Sequence, residues 1–140
     1  MDKKIGFIGC GNMGRAMLGA LMKSEQISPD SIVASVRTES SLHELKEKWP
    51  IRTTLNNLEV AQQSDIIIMA VNPAQYESVL KEIREVITFD QIIVSIAAGI
   101  KLEQMDVWIG KSSKIIKTMP NTPVLVQEGM TAICSNEHLL

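Results

Sequence analysis

Residues 5–14 read IGFIGCGNMG. An apolar run ends at Ile8, and Gly9, Gly11 and Gly14 follow at G-x-G-x-x-G spacing. Directly after them, Met13, Ala16, Met17, Ala20 and Leu21 recur at i, i+3, i+4, i+7 and i+8, giving residues 12–22 one apolar helical face. Glycine is poorly suited to a helix start unless the backbone needs positive φ or something approaches it closely. In a strand–turn–helix setting the three glycines divide that need. Gly9 makes the tight turn, Gly11 lets a pyrophosphate come close, and Gly14 lets helix and strand pack together. The free N–H groups and positive dipole end of the helix then face the phosphates. A tight turn holding no ligand is the alternative reading.

Outward from this segment, strands are expected at residues 4–8, 32–35, 52–54, 65–71, 91–96 and 114–117. Between them fall helices. One is capped by Ser40 or Ser41 and runs to Trp49, where Pro50 stops it. A second covers about 58–63. A third starts with Asn72 at the cap and Pro73 at the first helical position, and runs to about Val86 through Val79, Leu80 and Ile83. A fourth lies near 102–109. Residues 119–129, MPNTPVLVQEG, form a loop with two prolines, and residues 130–134 a last strand. Continuous apolar strands alternating with amphipathic helices define an α/β fold: a doubly wound, mainly parallel sheet with helices on both faces. Residues 1–140 form one such domain.

The bulk composition narrows the function classes. The chain has 140 residues, 45% hydrophobic and 21% charged, with a formal net charge of -2. Its pI near 5.7 gives no electrostatic case for nucleic acid or an anionic membrane. The longest apolar run, 66–71, has the length of a buried strand rather than a membrane span. MDKK leads straight into the first strand, so no secretory leader is expected. Cys10 and Cys134 lack the spacing of a zinc site or disulfide framework, which suits a cytoplasmic location and argues against a metal. His43 falls on a charged helix and His138 in the tail, both toward solvent. Cys10 reads as an inert loop thiol. No Ser/His/Asp set or paired carboxylates emerge, so no catalytic residue is assigned.

The end of the second strand carries cofactor specificity if a dinucleotide binds. It reads VASVRT: Ser35, Val36, Arg37 and Thr38, with no acid before Glu39. An NAD reader would place Asp or Glu there to hold the 2′-hydroxyl. A guanidinium fork and hydroxyls instead suit a 2′-phosphate, so NADP (as NADPH) is favoured, with NAD possible. A solvated loop arginine is the competing reading. The fourth and fifth strands end in AVNPAQ and SIAAG, where Ala97, Ala98 and Gly99 leave room for a nicotinamide or simply make a compact turn.

Several segments together, IGFIGCGNMGRAM, AVNPAQ, VSIAAGI and above all KIIKTMPNTPVLVQEGMTAI, resemble the pyrroline-5-carboxylate reductase family. The glycine segment alone would also suit 6-phosphogluconate and 3-hydroxyisobutyrate dehydrogenases. The resemblance spans essentially the whole chain but implies only the family's N-terminal NADP-binding domain, of Rossmann type. It implies reduction of 1-pyrroline-5-carboxylate to L-proline with NAD(P)H, the last step of proline biosynthesis. By position it implies that Ile8 to Met13 (Gly9, Cys10, Gly11 and Asn12 between them) hold the pyrophosphate. Ser35 beside Arg37 would take the ribose phosphate, and Asn57 the adenosine side. Ala70, Val71, Asn72 and Pro73, with Ala97, would bracket the nicotinamide, while Asn121 and Thr122 border the substrate cleft. The family usually has Lys where Asn72 stands. Its members continue into a helical domain that dimerises and completes the imine site, and that domain is expected to be absent here. The full-length relative is expected to be a homo-oligomer. The rival functions are a 3-hydroxyisobutyrate-type NADP-dependent dehydrogenase and a non-catalytic NADPH-binding regulatory paralogue.

Overall fold

The computed structural model describes residues 3–24, 27–97, 99–110, 114–117 and 134–135. Strand β1 (Ile5–Ile8) leads into helix α1 (Asn12–Ser24), then β2 (Ile32–Ser35), α2 (Glu39–Lys48), β3 (Arg52–Thr54) and α3 (Asn57–Gln63). The second half runs β4 (Ile66–Met69), α4 (Tyr76–Ile83), β5 (Ile92–Ser95), α5 (Leu102–Ile109), β6 (Lys114–Lys117) and β7 (Cys134–Ser135). The sheet order is β3-β2-β1-β4-β5-β6-β7. β7 is antiparallel to β6, and every other pair is parallel. The doubly wound reading holds, and the strand order reverses between β1 and β4.

Alternation along each strand feeds two cores. Ile8, Val33, Ile67, Met69, Ile93 and Ile115 pack under α3, α4 and α5. Phe7, Ile32, Ala34, Ile68, Val94 and Ile116 pack under α1 and α2. Side chains of successive strand residues point to opposite faces, so near-continuous apolar strands are what a sheet covered on both sides requires. Register aligns the strand ends: Ile8 pairs with both Ser35 and Met69, and Met69 with Ser95. Everything that follows these residues gathers along one edge.

Four local details differ from the sequence reading. The cap of α2 is Thr38, whose hydroxyl accepts from the Ser41 N–H, not Ser40 or Ser41. Both serines instead hydrogen bond to the Thr38 hydroxyl. Asn72 does cap, with Oδ1 accepting from Ala74 N at 3.0 Å, but it caps a 3-10 turn at Pro73–Gln75 that only then becomes α4. α4 ends at Ile83, because the Ile83 carbonyl takes both the Val86 and Ile87 N–H groups and closes a turn. In α1, Leu18 is fully buried with Met17, Ala20 and Leu21, while Ala16 is only half-buried, so the stripe sits further round the helix than its spacing suggests. Residues 130–133 of the expected last strand lie outside the described residues.

The helices are held chiefly by burial. α4 buries Tyr76, Val79, Leu80 and Ile83 along one face. Each such side chain contributes roughly 1.5–3 kcal/mol when removed from water. Among the described residues, no helix is long and apolar enough to cross a membrane, and no group of three or more His, Cys, Asp or Glu could hold a metal ion.

Candidate functional site

The loop between β1 and α1 sits where the strand order reverses, the place where open α/β sheets form their ligand crevice. Its glycines differ in what a side chain would meet. Gly9 has φ +76°, and a Cβ there would lie 2.6 Å from Val71 Cγ1. At Gly14 a Cβ would fall 2.9 Å from Ala70 Cβ, so α1 can approach the end of β4 only without one. At Gly11 the nearest atom is the Ala70 carbonyl oxygen at 4.0 Å. Gly11 thus faces open space, a cradle that a side chain would fill.

Two contiguous hollows open beside this loop. One, of about 340 Å³, lies over Gly9, Cys10 and Gly11 and reaches Arg37, Thr38 and Ser41 at the start of α2. The other, of about 230 Å³, runs from Gly9 past Ser35 and Arg37 to Asn57, Ser78 and Glu82. Val36, Val71 and Gln75 line both. Arg37 is exposed and makes no ion pair among the described residues. It stands beside the N-terminus of α2, whose dipole favours an anion there.

A line of hydrogen bonds underlies the second hollow. The Gly9 N–H donates to Ser35 Oγ at 3.2 Å, the Ser35 hydroxyl donates to Asn57 Oδ1 at 2.7 Å, and Asn57 Nδ2 donates to Glu82 Oε1 at 3.0 Å. Ser35 is only 1% exposed and sits beneath the loop, so its hydroxyl is already engaged. On the other side of the loop, Arg15 donates from Nε to the Cys10 carbonyl at 3.2 Å and pairs with Glu44 at 3.1 Å. The Cys10 thiol is buried, and that burial pushes it up to about 11 despite the Arg15 charge nearby. At neutral pH it is a neutral thiol with no nucleophilic role.

The far side of the crevice is tied together by Tyr76. Its fully buried hydroxyl donates to the Met69 carbonyl at 2.7 Å and accepts from the Ile96 N–H at 3.3 Å, with Ser95 Oγ at 3.4 Å. Burial raises the phenol above its ordinary range. The Ala97 N–H reaches Ser95 Oγ at 3.4 Å, so the ends of β4 and β5 form one hydrogen-bonded unit.

Of the residues named from sequence, Gly9, Cys10, Gly11, Ser35, Arg37 and Thr38 are brought together, as are Asn57, Ala70 and Val71. Ile8 is fully buried and Gly14 is packed inward, so neither offers a side chain to the crevice. Asn12 begins α1 with Met13 after it. Asn72, Pro73 and Ala97 border the crevice without lining either hollow. Asn121 and Thr122 lie outside the described residues. Missed were Arg15, Gln75, Tyr76, Ser78 and Glu82. Tyr76 alone left a signal, as the first of the apolar positions 76, 79, 80 and 83.

The parallel sheet, its reversed strand order and the glycine loop at the switch define a Rossmann-type α/β domain. The chain belongs to the family described as NADP oxidoreductase, coenzyme F420-dependent, whose model matches residues 4–99. It is 45% identical over 136 residues to the pyrroline-5-carboxylate reductase of Escherichia coli (strain K12), covering 97% of this chain and 51% of the relative. A pyrroline-5-carboxylate reductase structure from Coxiella burnetii superposes with a TM-score of 0.84 at 30% identity, covering 99% of this chain and 51% of that one. The Plasmodium falciparum pyrroline carboxylate reductase, solved with NADP bound, gives 0.80 at 26% identity, covering 97% and 49%. The chain therefore spans about half the length of the relatives it matches.

Proposed function

We propose that these residues form the NADPH-binding domain of an enzyme that reduces 1-pyrroline-5-carboxylate to L-proline. The similarity to the Escherichia coli reductase along nearly the whole chain carries this reading, and the open space at Gly11 supports it. The loop from Gly9 to Met13 would cradle the pyrophosphate, and Arg37 with the start of α2 would take the 2′-phosphate. Asn57 faces the nucleoside, while Ala70 to Pro73 and Ala97 shape the nicotinamide end. Bound there, NADPH would supply a hydride to the imine carbon of the ring. What the chain contributes is position: reacting atoms must be held at attack distance, and an error of about 1 Å can cost around a hundredfold. Asn121 and Thr122 are assigned to the border of the substrate cleft. The whole protein, about twice this length in the relatives, is assigned the turnover, as a homo-oligomer in the cytoplasm.

Nucleotide fluorescence titration tests the cofactor half of the reading. NADPH is expected to bind more tightly than NADH, and Arg37→Ala to weaken NADPH by about ten- to a hundredfold while leaving NADH nearly unchanged. Equal affinities for both cofactors in the unaltered chain would remove Arg37 from the site. Oxidation of NADPH followed at 340 nm with the imine, against a 3-hydroxyacid substrate with NADP, tests the reaction.

A further inference from the structure

The hydrogen-bonded line from Gly9 to Glu82 has a direction set at its two ends, where the Gly9 N–H can only donate and the Glu82 carboxylate can only accept. A carboxylate accepts and never donates, so Glu82 Oε1 requires Asn57 to present Nδ2, 3.0 Å away. The opposite end of that planar amide, Oδ1, then faces Ser35 and takes its hydroxyl proton at 2.7 Å. Ser35 Oγ then accepts from the Gly9 N–H without a second donor competing for it. The Ser35 hydroxyl is buried, so water offers Gly9 no equal replacement.

We propose that Glu82 is a positioning residue for the glycine loop, acting through Asn57 and Ser35 on the Gly9 amide. The functional consequence rests on the dinucleotide reading above, but the relay belongs to the free chain. Replacing the acid with glutamine, which can donate as well as accept, frees Asn57 to turn its amide over. Nδ2 would then face Ser35, and the serine proton would fall back on the Phe7 carbonyl at 3.5 Å, the limit of a hydrogen bond. Gly9 would keep a weaker, competing acceptor. Its turn would lose definition at the point where the loop begins.

The experiment uses Glu82→Gln in the full chain. In the ligand-free protein, NMR-detected exchange of the Gly9 amide is expected to speed up about tenfold, with the melting temperature nearly unchanged. Calorimetric titration is expected to show NADPH weakened roughly three- to tenfold, and 2′-AMP, which shares the Asn57 side but has no pyrophosphate, weakened less than NADPH. Glu82→Gln combined with Asn57→Ala is expected to bind NADPH no more weakly than Asn57→Ala alone, since the two act in series. Unchanged Gly9 exchange would overturn the proposal, as would additive effects. Equal weakening of NADPH and 2′-AMP would also overturn it, placing the whole effect at the nucleoside end and none at the glycine loop. A chain that bound neither nucleotide would refute the dinucleotide reading, and Gly9 exchange would still decide the relay.

Discussion

On the β5 side of the crevice the strand ends are joined by the Tyr76 hydroxyl, which is wholly buried. On the β2 side the ties run outward through Asn57 to Glu82, an exposed carboxylate on α4. The hydrogen-bond lengths are similar, but the surroundings are not. A buried group that loses its partner is left desolvated, at roughly 1–3 kcal/mol, whereas water can replace a partner lost at the surface. Damage to the first side should therefore register as lost stability, and damage to the second as a looser loop with the fold intact.

The largest expected effect tests the buried side. Tyr76→Ala removes a fully buried ring as well as the hub, and urea denaturation should show a loss of about 3–5 kcal/mol. Tyr76→Phe keeps the ring and strips the hydroxyl, at an expected cost of about 1–3 kcal/mol. No measurable cost in the phenylalanine variant would erase the contrast between the two sides.

Gly11→Val probes the loop between them. Its Cβ meets no atom closer than 4.0 Å, so circular dichroism and melting should be nearly unaltered. NADPH binding should nevertheless fall by at least about a hundredfold, because the side chain takes the space the pyrophosphate needs. Normal binding would reduce the motif to a turn.

Cys10 should show the smallest effect, visible only at high pH. Its thiol titrates near 11 in the folded chain, against 9.0 as the ordinary value. Above pH 9 the unfolded chain loses this proton while the folded one retains it, so stability present below pH 9 should fall as pH rises toward 11. Cys10→Ala should lack that part of the decline, and at pH 7 the two proteins should bind NADPH alike. Rapid alkylation at Cys10, as opposed to Cys134, in the folded wild type at pH 8 would contradict the buried thiol.

Legibility in the sequence tracked the range of the interactions involved. Residues 32–35, 52–54, 102–109 and 114–117 form the elements their patterns predict, since period and turn chemistry are local. The positive φ at Gly9 and the tight packing at Gly14 follow from the glycine spacing for the same reason. Glu82 was invisible because its partner Asn57 is 25 residues away, and on its own helix it reads as a solvated acid. Arg15 and Glu44, 29 residues apart, were hidden in the same way. The helix α2 cap was misplaced because three neighbouring hydroxyl residues could each supply it. Only the extended backbone at Thr38 decides among them.

The position of β1 bears on how the chain is made. It comes first in chain order among the strands of this sheet, yet it lies inside the sheet, paired to β2 on one side and β4 on the other. Its second neighbour is complete only at Met69, and the Lys4 N–H waits for the Asp65 carboxylate, 61 residues downstream. During translation the glycine loop thus leaves the ribosome with no finished platform beneath it. Closure of such distant pairings is slow relative to helix formation. A nascent chain stalled before β4 would leave the β4-facing edge of an apolar strand open to chaperones or to other copies of itself.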